Sequence, residues 1–189
     1  MEAMNIALIA KKGGVGKTTL ALLLHEAIKQ TGQTVAIRDY DAQGSASKAL
    51  ERINGTREVS GQTYQVLLID TPPSLTLPAT AAAVISAEII LIPTSPSPVD
   101  IWEADEAAKF AKAKNPNAAV RIVLNRIRKG TLLTDAVKQS LKGVAAEILT
   151  VTLADRQSYQ HALLGGWGAL DPKAEKEMFQ FTVAITSLR

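Results

Sequence analysis

Residues 11–19, KKGGVGKTT, lie between two segments of different hydrophobic period, and this arrangement restricts the fold more than any other feature of the chain. Upstream, residues 5–10 (NIALIA) form a nearly unbroken apolar run, the signature of a strand buried on both faces. Downstream, Leu20, Leu23, Leu24, Ala27 and Ile28 recur at i, i+3, i+4, i+7 and i+8, one face of a helix. Strand, glycine-rich turn and helix therefore follow in the order that opens a βαβ unit. The turn itself fits G-x-x-x-x-G-K-[ST] through Gly16, Lys17 and Thr18, with Lys11 standing where the first glycine is usual. Its glycines let successive backbone N–H groups face phosphate oxygens, and the helix behind them offers its positive end to the same anion. Lys17 is expected at the β- and γ-phosphates and the Thr18 hydroxyl on Mg²⁺. The cradle as a whole is assigned to Lys11, Lys12, Gly13, Gly14, Val15, Gly16, Lys17, Thr18 and Thr19.

Further strand candidates at 34–37, 66–69, 88–92, 120–124 and 148–153 alternate with helical patterns at 79–86, 101–114 and 131–141. A last helix carries Met178, Phe181, Ile185 and Leu188 on one stripe. The alternation predicts an α/β fold, a mostly parallel β-sheet flanked by helices on both faces, of the P-loop NTPase kind. A length of 189 residues with 47% hydrophobic and 21% charged residues suits one globular domain over 1–189, with 54–63 as a surface connection. No run approaches the roughly 18 apolar residues of a membrane span, and nothing ahead of the first strand reads as a signal peptide, so a cytoplasmic protein is expected. With no cysteine, disulfides, thiolate catalysis and iron–sulfur ligation are excluded, and two histidines are too few for a metal cluster. Mg²⁺ held by oxygen ligands and phosphate remains.

Two acidic sites extend the nucleotide chemistry. Residues 66–70 (VLLID) form a hydrophobic strand ending in Asp70, and the following Thr-Pro-Pro forces the chain out of the sheet. A carboxylate there suits a Walker B role, holding Mg²⁺ beside the phosphate loop. In residues 38–44 (RDYDAQG), Asp39 and Asp41 alternate along an extended segment and share a direction, one to steady the metal shell and one to orient the attacking water. For the base, guanine would require a carboxylate three residues after an asparagine. Asn125 is followed three positions on by Arg128, which cannot accept from guanine, so adenine contacted by the Asn125 amide is expected.

These residues together resemble the ParA/MinD family of deviant Walker A P-loop ATPases, most nearly its small ParA-type partition proteins. KKGGVGKTT, the DYDAQGSAS segment, LLIDTPPS, IPTSPSPVDI and VLNRIR carry the resemblance in family order across residues 6–128. It implies slow, partner-stimulated hydrolysis of ATP with Mg²⁺ in an ATP-sandwich homodimer. In that arrangement Lys12, or Lys11 beside it, crosses to the partner's phosphates as an arginine finger does. It also implies that Lys12, Lys17 and Asp41 are the catalytic set, with Asp41 positioning the water, and that Thr18, Asp39 and Asp70 surround the metal.

The resemblance further implies non-specific DNA binding by the ATP dimer, association with the nucleoid, and a ParB-like or cargo adaptor protein. A net charge of +3 permits a positive surface, assigned to Arg126, Arg128, Lys129, Arg156, Lys173 and Lys176. No room is seen for an N-terminal helix-turn-helix domain, and no membrane contact is expected. The competing readings are a MinD-like membrane-surface ATPase, which needs a basic amphipathic tail, and a P-loop synthetase that uses ATP on a small acid.

Overall fold

The computed structural model describes residues 3–128 and 135–188. Six parallel strands lie in the order β2-β3-β1-β4-β5-β6. They are β1 (Met4–Leu8), β2 (Val35–Asp39), β3 (Val66–Asp70), β4 (Ile89–Thr94), β5 (Ala119–Leu124) and β6 (Glu147–Ile148). The helices between them are α1 (Lys17–Gln30), α2 (Ser45–Ile53), α3 (Pro78–Ser86), α4 (Pro98–Lys114), α5 (Asp135–Lys142), α6 (Gln157–Gly165) and α7 (Pro172–Thr186). The expected mostly parallel sheet is wholly parallel among the described strands.

The two-residue period of the strands divides the core into two layers. Ile6 and Leu8, Val66 and Leu68, and Ile89 and Leu91 face α1, α2, α6 and α7, where Leu24, Leu50, Met178, Phe181 and Ile185 are buried. Ala7 turns the other way with Leu67, Ile69, Ile90, Ile92 and Ile122, onto α3 and α4, whose contacts are mostly alanines. Alanine lets α4 approach closely and brings Asp100 and Glu103 near the glycine-rich loop.

Strand ends place the site. β1 pairs with β3 on one side and β4 on the other, so the chain leaves the sheet's carboxyl edge from its centre. Leu8, Asp70 and Asp39 lie in register across three neighbouring strands. The 148–153 run departs from the expected strand: its ladder stops at Ile148. Leu149 and Leu153 still donate to Ile122 and Leu124, so the segment follows β5 with a bulge between. Helices α2 and α6 lie outside the helical patterns expected from the sequence. Residues 129–134, including Lys129 and the start of the helix expected at 131–141, lie outside the described residues.

Candidate nucleotide-binding site

Gly16 opens α1 in the left-handed region, at φ 102, and no side chain caps the helix. The N–H groups of its first turn therefore point outward without a protein side-chain acceptor, which is what an anion requires of a helix end. Gly16 is also required sterically, because a Cβ there would sit 2.5 Å from Asn125 Nδ2. Gly13, Gly14, Gly16, Lys17, Thr18 and Thr19 line a cleft of about 490 Å³ together with Asp41, Pro73 and Arg126. Lys17 is only 7% exposed; burial lowers its pKa, against the opposing pull of Asp70 and Asp41.

Thr18 Oγ1 donates to Asp70 Oδ2 at 2.7 Å, joining the loop to the end of β3. Burial pushes Asp70 up to about 6 although Thr18 and Lys17 favour its charged form, and its Oδ1 is buried without a hydrogen-bond partner. An orphaned carboxylate oxygen beside a threonine hydroxyl and a phosphate cleft fits Mg²⁺. That ion takes one or two protein oxygens and completes its shell with phosphate and water. No group of three or more histidine, aspartate or glutamate side chains able to hold a metal by themselves occurs among the described residues.

The Asp39 carboxylate binds two backbone groups. Its Oδ1 accepts from the Asp41 N–H at 3.0 Å and its Oδ2 from the Ser47 N–H at 2.9 Å. Both oxygens are thus given to backbone. They supply the cap that Gly44 cannot give α2 and hold the turn that carries Asp41. Asp41 lines the phosphate cleft, and its Oδ1 accepts from the Gln43 N–H.

A second, shallow cleft adjoins the first, lined among others by Gly16, Thr19, Asn125, Arg126, Asp155 and Tyr159. The Asn125 amide does not project freely into it. Nδ2 donates to the Val15 carbonyl at 3.1 Å and Oδ1 accepts from the Arg126 N–H at 2.8 Å. The asparagine expected to read the base also clasps the glycine loop to the end of β5, with one amide hydrogen on Val15 and its oxygen on the Arg126 N–H. The opposite wall depends on Glu177 of α7, a residue that sequence reasoning missed. It accepts from the Ala154 N–H at 2.7 Å, the Tyr159 hydroxyl at 2.6 Å and Arg156 at 3.0 Å.

The two lysines ahead of the glycines leave their own cleft. Lys12 bonds to Asp100 and lies 3.4 Å from Glu103, while Lys11 meets Glu106 at 2.7 Å; all three acids belong to α4. Partial burial pushes Asp100 up, but its bonds to Lys12 and Ser95 outweigh this and hold the carboxyl below its ordinary value.

A family model described as the CobQ/CobB/MinD/ParA nucleotide binding domain matches residues 6–164. The chain belongs to this family. Within it, the chain is 26% identical over 188 residues to the maintenance of carboxysome distribution protein A of Halothiobacillus neapolitanus, covering 87% of this chain and 86% of that one. The protein of the same name from Gloeobacter kilaueensis is 37% identical over 139 residues, 65% of this chain and 62% of that one. Among solved structures, a plasmid partition protein of Borrelia burgdorferi B31 bound to AMPPNP superposes with a TM-score of 0.72 at 16% identity, covering 99% of this chain and 98% of that one. The nucleotide-binding fold is therefore common to the family and to this chain.

The described basic residues expected on one surface differ in what they contact. Arg156 turns inward to Glu177 and Asp171, with a side chain 17% exposed, and Arg128 pairs with Asp155 at 3.3 Å. Arg126 lines the nucleotide clefts, whereas Lys173 and Lys176 are exposed on α7. Among the described residues, no helix is long and apolar enough to cross a membrane.

Proposed function

We propose that the protein is an ATP-hydrolysing positioning switch. Two copies enclose two ATP–Mg²⁺ between facing clefts, the pair grips DNA without sequence preference, and a ParB-like or cargo adaptor stimulates hydrolysis. The observation that carries this reading is the direction of Lys12. Lys17 serves the phosphate cleft of its own subunit, while Lys12 is absent from that cleft and rests on α4 at its rim. A lysine outside its own phosphate cleft is placed to serve the phosphates of a facing copy once it leaves α4, as an arginine finger does.

Within each site Lys17 offsets charge on the β- and γ-phosphates, Thr18 and Asp70 hold the metal, and Asp41 orients the water. Bound Mg²⁺ supplies charge neutralisation for phosphoryl transfer. The positive surface comprises Arg128, Lys173 and Lys176, each of which is exposed. Pairing two copies doubles the phosphates met. With about 3 contacts per copy, the salt slope steepens from roughly −2.7 to −5.4. Relatives named for carboxysome distribution and a neighbour named for plasmid partition support cargo positioning as the task. The protein would act in the cytoplasm, on the nucleoid in its ATP state.

The Asp41→Ala variant with ATP tests the switch. Size-exclusion chromatography should show a trapped dimer, and that dimer should be retained on DNA. A monomer indifferent to ATP overturns the proposal. Retention on anionic vesicles in place of DNA selects a membrane-surface ATPase, and turnover only with a small carboxylic acid selects a synthetase.

A further inference from the structure

We propose that Arg126 binds the α-phosphate of the nucleotide held by its own subunit. This inference rests on the reading of the two clefts as an ATP site. It reassigns a residue whose position in the sequence suggested a DNA surface.

Placement is the first argument. Gly16, Thr19 and Arg126 border both the phosphate cleft and the adjoining cleft, and Arg126 is the charged side chain the two clefts share. A nucleotide passes from base and sugar to its phosphate chain at that junction, so the first phosphate lies there.

Backbone conformation is the second. Arg126 has φ 59, in the left-handed region that a long side chain enters only at a cost of about 1 kcal/mol or more. The surroundings hold it there: Asn125 Oδ1 accepts from the Arg126 N–H, and the Ile127 N–H donates to the Leu153 carbonyl. Asn125 Nδ2 meanwhile donates to the Val15 carbonyl, so the turn bearing Arg126 is tied directly to the phosphate loop. A β-region residue at this point would direct its side chain elsewhere.

Charge is the third. Of the neighbouring arginines, Arg156 pairs with Glu177 and Arg128 makes an exposed pair with Asp155, whereas the Arg126 guanidinium has no ion-pair partner among the described residues. Lys12 and Lys11 are held by α4, leaving Lys17 and Arg126 as the cations on the cleft. A triphosphate lying close to Asp41 and Asp70 needs more than one. Guanidinium also suits two phosphate oxygens at once.

Titration calorimetry with ATP and with ADP, in Mg²⁺, tests the assignment on wild type, Arg126→Gly and Arg126→Lys. Glycine accepts φ 59, so its apo melting temperature should not fall, while its affinity should drop about 10- to 100-fold, the range of a charge-assisted hydrogen bond. ATP and ADP should weaken alike, because both carry the α-phosphate, and lysine, which keeps the charge but not the two-oxygen fork, should restore only part of the loss. DNA retention at saturating ATP should be unchanged. Unaltered affinities in Arg126→Gly, weakening of ATP alone, or loss of DNA retention with nucleotide affinity intact would each overturn the inference. A wild type that binds neither nucleotide removes the ATP-site reading along with it. One that binds both yet neither pairs nor holds DNA removes only the positioning switch.

Discussion

The Lys12 ammonium bonds to the Asp100 carboxylate across the rim of the nucleotide cleft, joining the glycine loop to the first turn of α4. Asp100 is itself held by the Ser95 hydroxyl, and its backbone N–H donates to the Ser97 cap, so the acceptor is fixed before the lysine arrives. Glu103 lies one turn further along the helix, 3.4 Å from the same ammonium. Lys12 therefore exchanges one set of anions for another if it is to reach a facing copy's phosphates.

Neutralising the resting place should favour that exchange. Asp100→Asn combined with Glu103→Gln is expected to lower the ATP concentration at half-dimerisation by about 5-fold or more, the low end of ordinary coupling between sites. Analytical ultracentrifugation across an ATP series measures it. A midpoint that stays put or rises shows that α4 does not restrain Lys12.

Asp70 exchanges stability for ligand binding. Its folded pKa of about 6 stands above its ordinary 3.8, so the ionised group disfavours the apo fold above pH 6 and the penalty disappears as pH falls towards 4. The gap between these two values sets an upper limit of about 3 kcal/mol. Asp70→Asn should therefore melt higher than wild type without nucleotide at pH 7.5, lose that advantage near pH 4, and bind nucleotide no better with Mg²⁺ than without. Thermal melts and calorimetry at the two pH values decide this.

Gly16→Ala should cost about 2 kcal/mol or more and abolish tight nucleotide binding, because the methyl group meets the Asn125 amide and the backbone stands at φ 102. Adding Asn125→Ala should recover the steric part only, leaving the conformational part. Chemical denaturation of the two singles and the double separates the contributions.

Glu177 holds the outer wall of the second cleft by three acceptances, from Ala154, Tyr159 and Arg156. Burial and the bond to Glu177 raise the Tyr159 pKa, so the hydroxyl stays a donor throughout the working pH range. Glu177→Ala should destabilise the fold by about 2–3 kcal/mol and weaken ATP and ADP equally, while Glu177→Gln, whose single amide oxygen keeps the Ala154 and Tyr159 bonds but not that from Arg156, should retain part of both properties. Denaturant midpoints and nucleotide titrations provide the check.

Much of this arrangement is legible in the chain without coordinates. The two-period pattern around the loop implies a buried strand and an amphipathic helix, and apolar strands ending in Asp39 and Asp70 imply carboxylates at one sheet edge. Helices α2 and α6 escape because their buried faces are short: Ala46, Leu50 and Ile53 in one, Tyr159 and Ala162 in the other. Glu177 escapes because its partners lie 18 to 23 residues away and nothing local distinguishes it from a solvated glutamate.

Local order along the chain determined the phosphate loop, since glycine conformations, a strand behind and a helix ahead are all properties of neighbouring residues. Side-chain direction was decided only by tertiary structure. Which lysine lines the cleft, that the Asn125 amide meets Val15, and that Arg126 borders both clefts all depend on groups distant in sequence. A charged or amide side chain takes whichever partner the fold brings within about 3 Å, and folding, not spacing, supplies that partner.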